Sequence, residues 1–127
     1  MQKALILSAV LIAAGTAAGA QAGARDTDRT FGRAELAVLL SGHAVEFFDG
    51  GVSRYRGDGA YSYKYTETDR PYIGTYVVGD SGEVCVTFLN GARRCDVFVD
   101  DGNRLVLIVA DGTRFPVRDR RPLVDGY

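Results

Sequence analysis

The two cysteines of this 127-residue chain, Cys85 and Cys95, lie on either side of the dipeptide Asn90-Gly91. The runs that flank the dipeptide are rich in β-branched and aromatic residues, which favour strands. Asn-Gly between two such runs is a strong hairpin signal, because both residues tolerate the positive φ of tight hairpin turns. The sequence therefore predicts a β-hairpin with one cysteine in each arm.

The length of the hairpin loop decides whether the cysteines can meet. A three-residue loop, residues 89–91, places Cys85 directly opposite Cys95, at a Cα separation that a disulfide can span. A two-residue loop instead gathers the valines of both arms on one face and sends Cys85 to the other. A three-residue loop with a β-bulge near Asp96 reconciles most of these requirements, but it leaves Arg94 on an apolar face.

We predict a structural disulfide between Cys85 and Cys95. A zinc site usually takes four Cys or His ligands, and His43 is the only histidine of the chain. The cysteine spacing is also much wider than the C-x-x-C of a redox motif. The sequence therefore predicts no metal and no other cofactor.

The N-terminus, residues 1–22, has the parts of a secretory signal peptide. Lys3 gives the positive charge, an apolar run follows, and small residues up to Ala22 match the cleavage pattern. The apolar run is too short for a stable transmembrane helix, which needs about 20 residues, although an uncleaved anchor is the alternative. Export to an oxidising compartment, either periplasmic or extracellular, would favour the disulfide.

The chain that remains after cleavage is long enough for one small domain, which we place at residues 30–117. Residues 23–29 are expected to form a flexible lead-in, and residues 118–127 a charged, extended tail. The 15 basic and 16 acidic residues are mixed along the chain. This balance gives no electrostatic footprint for nucleic acid or an anionic membrane.

The domain begins with one predicted helix. Thr30 can cap a helix that continues to about Ser41, with leucines at helical spacing and Gly42 as its stop. Eight strands follow, and turn signals such as Asp-Gly and Asn-Gly separate most of them. The predicted strands are residues 43–48, 52–56, 60–65, 72–78, 83–88, 92–99, 104–110 and 113–117.

Short strands at this regular spacing predict a mainly β fold. The predicted architecture is a small antiparallel eight-stranded meander barrel, or a strongly curled sheet, with one short N-terminal helix packed on it. An outer-membrane barrel is disfavoured, because membrane strands need about 9 to 11 residues and most of these runs are shorter.

The strongest candidate for a binding surface is aromatic. Six of the seven tyrosines lie between positions 55 and 76, and three of them alternate along one strand, so they share a face. Tyrosine and arginine together are enriched at recognition surfaces. The candidate ligand-binding residues are Tyr55, Tyr61, Tyr63, Tyr65, Tyr76, Arg54 and Arg56. In the interpretation that we favour, the tyrosines instead fill the barrel interior or pair across strands.

The sequence predicts no enzyme. Catalysis by proton transfer or nucleophilic attack needs a positioned base with a nucleophile or a carboxylate. His43 opens the first strand, and no serine lies in a G-x-S-x-G motif. An enzyme centred on His43 would require a cleft with a carboxylate within hydrogen-bond reach of the ring.

Three short motifs carry a resemblance to known proteins. They are Leu40-Ser41-Gly42 at a helix end, Gly74-Thr75-Tyr76 in a central strand, and Cys85-Val86 with Arg94-Cys95. In these the chain resembles small exported β-rich proteins of unknown function from Gram-negative bacteria. The Gly-x-Tyr motif is also similar to the Gly-x-Trp of lipocalin-like barrels and of periplasmic protease-inhibitor barrels, with Tyr replacing Trp. The resemblance implies no catalytic residues.

These observations favour a non-enzymatic, exported β-barrel that binds a small ligand or an envelope component. We expect a monomer that does not span the membrane. The alternative is an inhibitor of a periplasmic or host hydrolase, which would act through an exposed arm at residues 23–30 or 118–127. A ligand binder should instead contain an apolar cavity lined by alternate strand residues.

Overall fold

Eight antiparallel strands form a closed barrel in the computed structural model, which describes residues 21–124. The elements are β1 (Arg29–Thr30), α1 (Arg33–Leu40), β2 (His43–Phe47), β3 (Val52–Tyr55), β4 (Ala60–Lys64), β5 (Tyr72–Val78), β6 (Glu83–Phe88), β7 (Arg93–Asp100), β8 (Leu105–Ile108) and β9 (Arg114–Pro122). Strands β2 to β9 follow one another around the barrel, β9 returns to pair with β2, and β1 adds to β7. The predicted mainly β meander barrel is confirmed.

The predicted signal peptide lies almost entirely outside the described residues, as do residues 125–127 of the predicted tail. Within residues 21–124, no helix is both long enough and apolar enough to cross a lipid bilayer.

Most of the turns that join the strands share one chemistry. In five of the seven turns between β2 and β9, a side-chain oxygen of Asp or Asn accepts the backbone N–H two residues later, which holds the chain in a tight bend. Such bonds, 2.9 to 3.0 Å long, run from Gly51 to Asp49, Ala60 to Asp58, Ala92 to Asn90 and Thr113 to Asp111. These local bonds explain why turn dipeptides marked the strand boundaries in the sequence.

The central hairpin has the three-residue loop. The Phe88 N–H donates to the Ala92 carbonyl at 2.8 Å, and the Gly91 N–H donates back to Phe88 at 2.9 Å. Gly91 has φ +88°, a left-handed conformation that glycine adopts without strain. Cys85 therefore lies opposite Cys95, with Cα atoms 4.0 Å apart, and the predicted disulfide is confirmed.

The β-bulge predicted near Asp96 is wrong. The β6–β7 register continues without a shift through Val84 and Asp96 to the end of the pairing at Val97. The bulge was predicted because it would turn the valines of β7 toward the barrel interior. In the structure these valines are on the outer face. Val97 and Val99 pack with Ile108 in a second apolar cluster, on the face opposite the inward-facing Phe98.

Helix α1 begins two residues later than predicted. Thr30 does not cap it, because Thr30 is extended and pairs with Val99. Gly32 is the N-cap, and the carboxylate of Glu35 accepts the Gly32 N–H at 3.4 Å. On the inner side, Leu36 joins the barrel core and is fully buried. The helix therefore closes one end of the barrel.

Both predicted end segments contact the barrel in the structure. Residues 118–122, placed in the tail by the sequence, continue β9 and pair with β2 as far as His43 opposite Pro122. This pairing removes the free edge that β2 would otherwise expose. In the lead-in, Asp28 accepts two hydrogen bonds from Arg114, at 2.6 and 2.9 Å, and both side chains are nearly buried.

The disulfide should contribute measurably to stability. We expect the double substitution Cys85→Ser/Cys95→Ser to lower the free energy of unfolding by about 2–3 kcal/mol, because the bridge restricts the unfolded chain over a short loop. The matched control is Thr87→Ser/Arg93→Ser, which changes the next pair on the same face. Urea denaturation measures both, and equal losses in the two variants would contradict the prediction.

The ion pair of the lead-in should make stability depend on pH. The hydrogen bonds from Arg114 hold the pKa of Asp28 below its usual range. Ionised Asp28 therefore stabilises the fold above its unfolded-state pKa of about 3.9, and this stabilisation is lost as the pH falls through the lower folded-state pKa. Asp28→Asn should be less stable than the wild type at pH 7, and the difference should shrink at acid pH. Asp26→Asn, an exposed neighbour, is the control, and a difference independent of pH would contradict the assignment.

Candidate functional site

The barrel contains a cavity, which we call the cup, that is closed at one end and open at the other. Leu36 and Leu40 of α1 pack into the core at the closed end. The cup has a volume of about 500 Å³ and reaches the turns of the opposite end, where Asp49, Tyr65 and Asp111 line it. This volume lies in the range of small-molecule sites, about 300–1,000 Å³.

Tyr55 forms the floor of the cup. Its ring is 2% exposed and lies 5.2 Å from the ring of Tyr61 and 5.1 Å from that of Tyr76, measured between centroids. Burial raises the pKa of Tyr55 well above its ordinary value and that of Tyr61 to about 12. Both phenols are therefore neutral at physiological pH, and both belong to the core, as the favoured interpretation predicted.

Four polar side chains interrupt the apolar wall above this floor, and we call them the polar belt: Ser53, Tyr61, Arg94 and Asp96. The hydroxyl oxygens of Ser53 and Tyr61 lie 2.9 Å apart. Nε and Nη2 of Arg94 both donate to Oδ2 of Asp96 at 2.7 Å. The belt therefore contains one satisfied hydroxyl pair and one ion pair.

The ion pair is asymmetric in its burial. The side chain of Asp96 is 9% exposed, whereas that of Arg94 is 47% exposed. Burial raises the pKa of Asp96, and the guanidinium opposes this shift only in part. Burial also disfavours the charged form of Arg94, but Asp96 outweighs that effect and raises the pKa of Arg94. The carboxylate is thus the member of the pair that depends most on its partner.

Tyrosines form the rim of the cup. Tyr63 and Tyr65 line the cavity and meet edge to face, with ring centroids 4.9 Å apart and planes at 88°. Tyr72 supports Tyr65 from the outside in the same way, at 5.7 Å and 88°. Tyr65 and Tyr72 are more than half exposed. The rim therefore offers ring faces at right angles to each other.

Two carboxylates belong to the same rim. Asp49 accepts the Gly51 N–H at 2.9 Å. Burial raises the pKa of Tyr63, and the negative charge of nearby Asp49 raises it further. A side chain at Gly51 would meet the Tyr63 hydroxyl, so the Tyr63 ring would have to move to admit one. Asp111 accepts the Thr113 N–H, and this hydrogen bond lowers the pKa of Asp111.

The structure separates the other candidate residues from this group. Arg54 points away from the interior, because its strand neighbours Ser53 and Tyr55 face inward. Arg56 lies in the turn at the closed end and pairs with Asp58 at 3.3 Å. Tyr76, which packs beneath Tyr55, donates its hydroxyl proton to the Arg56 carbonyl at 2.7 Å. Of the predicted set, Tyr55, Tyr61, Tyr63 and Tyr65 therefore share the cup.

The arginine of the cup is Arg94, which the prediction of binding residues missed together with Asp96, Asp49 and Asp111. One signal for Arg94 was present in the sequence. The three-residue hairpin loop placed it on the same apolar face as Val86, and the structure pairs these two residues inside the barrel. A charged residue on the inner face of a strand indicates a polar partner or a site within the barrel.

His43 lies apart from the cup. Its Nδ1 is 2.9 Å from the backbone carbonyl oxygen of Ser41. Across the part of the chain that the structure describes, no carboxylate forms a hydrogen bond with its ring, and no three His, Cys, Asp or Glu side chains come together as metal ligands.

Comparison with protein-family models, with curated proteins and with solved structures finds no match to this chain. The resemblance to small exported β-rich proteins and to lipocalin-like or protease-inhibitor barrels therefore stays a prediction.

The ion pair predicts an effect of substitution that depends on pH. Arg94→Leu leaves the carboxylate of Asp96 without its partner, and we expect a loss of about 1–3 kcal/mol at pH 7. This range is below that of a fully buried pair, because Arg94 is half exposed. Without Arg94 the folded-state pKa of Asp96 should rise further, so the loss should diminish as the pH falls through it.

The control for this experiment is Arg93→Leu, because Arg93 is exposed on the outer face of the same strand. Thermal or urea denaturation between pH 4 and pH 8 measures both variants. Equal losses in Arg94→Leu and Arg93→Leu, or a loss that does not vary with pH, would contradict the assigned role of the pair.

Proposed function

We propose that this protein is a non-enzymatic binding module that holds a small ligand in the cup. The observation that carries the proposal is the cavity of about 500 Å³ inside the barrel. Protein interiors are normally packed as tightly as organic crystals, and a void that water or a ligand does not fill loses its contact energy. An open cavity of this size with an apolar and aromatic lining supports the proposal that a small molecule enters it.

The lining of the cup supports the same proposal. Small-molecule sites combine apolar and aromatic walls with a few placed polar groups. Phe115 and Leu107 contribute apolar wall, the rim contributes Tyr63 and Tyr65, and the Arg94–Asp96 pair contributes polar atoms. The cup thus offers area for an apolar body and hydrogen-bonding groups that could orient it.

The proposed location is the periplasm or the exterior of a Gram-negative bacterium. The Cys85–Cys95 disulfide supports an oxidising compartment. The signal peptide predicted at residues 1–22 supports export. Envelope components that can enter a cavity of this size are therefore included among the candidate ligands, and the protein is proposed to act as a monomer.

The inhibitor hypothesis has less support. It requires an exposed loop or arm that contacts a hydrolase, and residues 23–30 and 118–127 were the candidates. Asp28 is held against the barrel by Arg114, Thr30 is paired with β7, and residues 118–122 belong to β9. These contacts hold the arms against the barrel as far as Pro122, and they favour the cup as the binding site.

A substitution that fills the cup tests the proposal. Val109 lines the cavity near its open end, so Val109→Trp should occupy the space of a ligand. The control is Val77→Trp, at an outer-face valine that is 69% exposed. The probe is Nile red, a neutral dye whose fluorescence rises in apolar surroundings. We expect saturable one-to-one binding by the wild type and Val77→Trp, and at least a tenfold loss in Val109→Trp.

A second variant tests the proposal independently, in case Val109→Trp does not fold. Ala110→Trp places the same ring at an exposed position on the rim of the cup and should also weaken Nile red binding. Circular dichroism and native mass spectrometry verify that each variant keeps the barrel and the disulfide. Nile red binding that is absent from the wild type, or equal in all variants, would contradict the proposed function.

A further inference from the structure

We propose that the ligand of the cup is an amphiphilic cation, with its apolar part inside and a substituted ammonium group at the tyrosine rim. This inference rests on the proposed function and adds the charge and shape of the ligand to it. It follows from three features of the described residues: the balance of charges in the cup, the orientation of the rim tyrosines, and the neutral floor.

The charge balance favours a cation over an anion as the ligand. Arg94 is the one cation among the described residues that line the cup, and Asp49, Asp96 and Asp111 face it there. Two of the Arg94 donors already bind Asp96 at 2.7 Å, so its positive charge is neutralised. An anion at the mouth would meet the carboxylates of the rim without a compensating charge, whereas a cation would be attracted by them.

The rim tyrosines supply a second reason. A cation is attracted to the face of an aromatic ring within about 6 Å of its centroid, and cages of several aromatic rings bind substituted ammonium groups. The planes of Tyr63 and Tyr65 stand at 88°, and those of Tyr65 and Tyr72 at 88°. The carboxylate of Asp49 lies beside Tyr63. The rim therefore combines ring faces with negative charge.

The floor explains why the ligand should also be apolar. The lower part of the cavity is lined by the ring of Tyr55 and by the aliphatic side chains of Val84 and Leu107. A hydrated inorganic cation would gain nothing from these surfaces, whereas an alkyl or aryl body would bury its area against them. The ligand is therefore expected to carry its charge at one end only.

Three probes of equal chain length separate charge from apolar burial: octyltrimethylammonium, octanoate and 1-octanol, each titrated by calorimetry. We expect octyltrimethylammonium to bind at least about tenfold more tightly than the other two, with an affinity that falls as salt is added. If octanoate or octanol binds as tightly, the cation proposal is overturned while the proposed function stands. If none of the three probes and no Nile red binds, both fail.

Charge-removing variants locate the effect at the rim. Asp49→Asn/Asp111→Asn keeps an oxygen that can accept the turn hydrogen bonds but removes two negative charges. We expect about tenfold weaker binding of octyltrimethylammonium and unchanged binding of octanol. The control Asp58→Asn/Asp101→Asn makes the same change in turns at the closed end and should leave both affinities unchanged. Equal effects of the two double variants would overturn the proposed site.

Tyr65 tests the role of the ring face. Tyr65→Leu should weaken octyltrimethylammonium about threefold, because one cation–π contact at an exposed site is lost. Tyr65→Phe keeps the ring and should bind like the wild type. Octanol should bind all three proteins alike. A Tyr65→Leu variant that binds the cation as tightly as Tyr65→Phe would show that the rim tyrosines do not recognise the charge.

Discussion

The closure of the barrel by β9 is the interaction on which the rest of the structure depends. The first residues of this strand pair with β8, and the later ones, from Val117 to Pro122, pair with β2. A register shift near Phe47 lets the strand pass from one partner to the other, as β-bulges commonly do at barrel corners. Closure leaves no free edge between β2 and β9, and it creates an interior that every strand must help to fill.

In a closed barrel, every second side chain of a strand must point into the interior. In an open sheet, a charged residue on the apolar face could turn outward at an edge. In a barrel, the residue opposite Val86 has only the interior to enter, and that residue is Arg94. The cost of burying its charge is offset by Asp96, two residues along the same strand and therefore on the same face. The polar belt is thus a consequence of register and closure together.

The sequence was sufficient for features that depend on neighbouring residues. Turn chemistry and short apolar runs predicted all eight barrel strands, and the Asn90-Gly91 loop predicted the disulfide. Features that depend on distant residues were missed or misplaced. The β-bulge near Asp96 was wrong because nothing local shows that Val97 and Val99 of β7 pack with residues of β8 on the outer face of the barrel. Arg54 was grouped with Tyr55 by sequence distance, although adjacent strand residues point to opposite faces.

In the candidate site, too, the sequence predicted contacts within one strand but not contacts between distant segments. Alternation predicted that Tyr61, Tyr63 and Tyr65 share a face. The carboxylates of the rim come from turns far apart in the sequence, and only the barrel brings Asp49 and Asp111 to one mouth. Each of these Asp residues has a sufficient structural reason to be there, since each forms the hydrogen bond that closes its turn. The binding role proposed for them therefore follows only from the cavity that they face.

Helix α1 closes one end of the cup and leaves the other end open. Leu36 and Leu40 fill the end near the β3–β4 turn, and the packed rings of Tyr55, Tyr76 and Phe98 continue that seal into the interior. Stability is thereby concentrated at one end, where the core is dense. The other end keeps the open volume, the exposed rings and the uncompensated carboxylates. Dense packing and open volume are thus separated along the axis of the barrel, so the proposed ligand would enter the cup without displacing the core side chains.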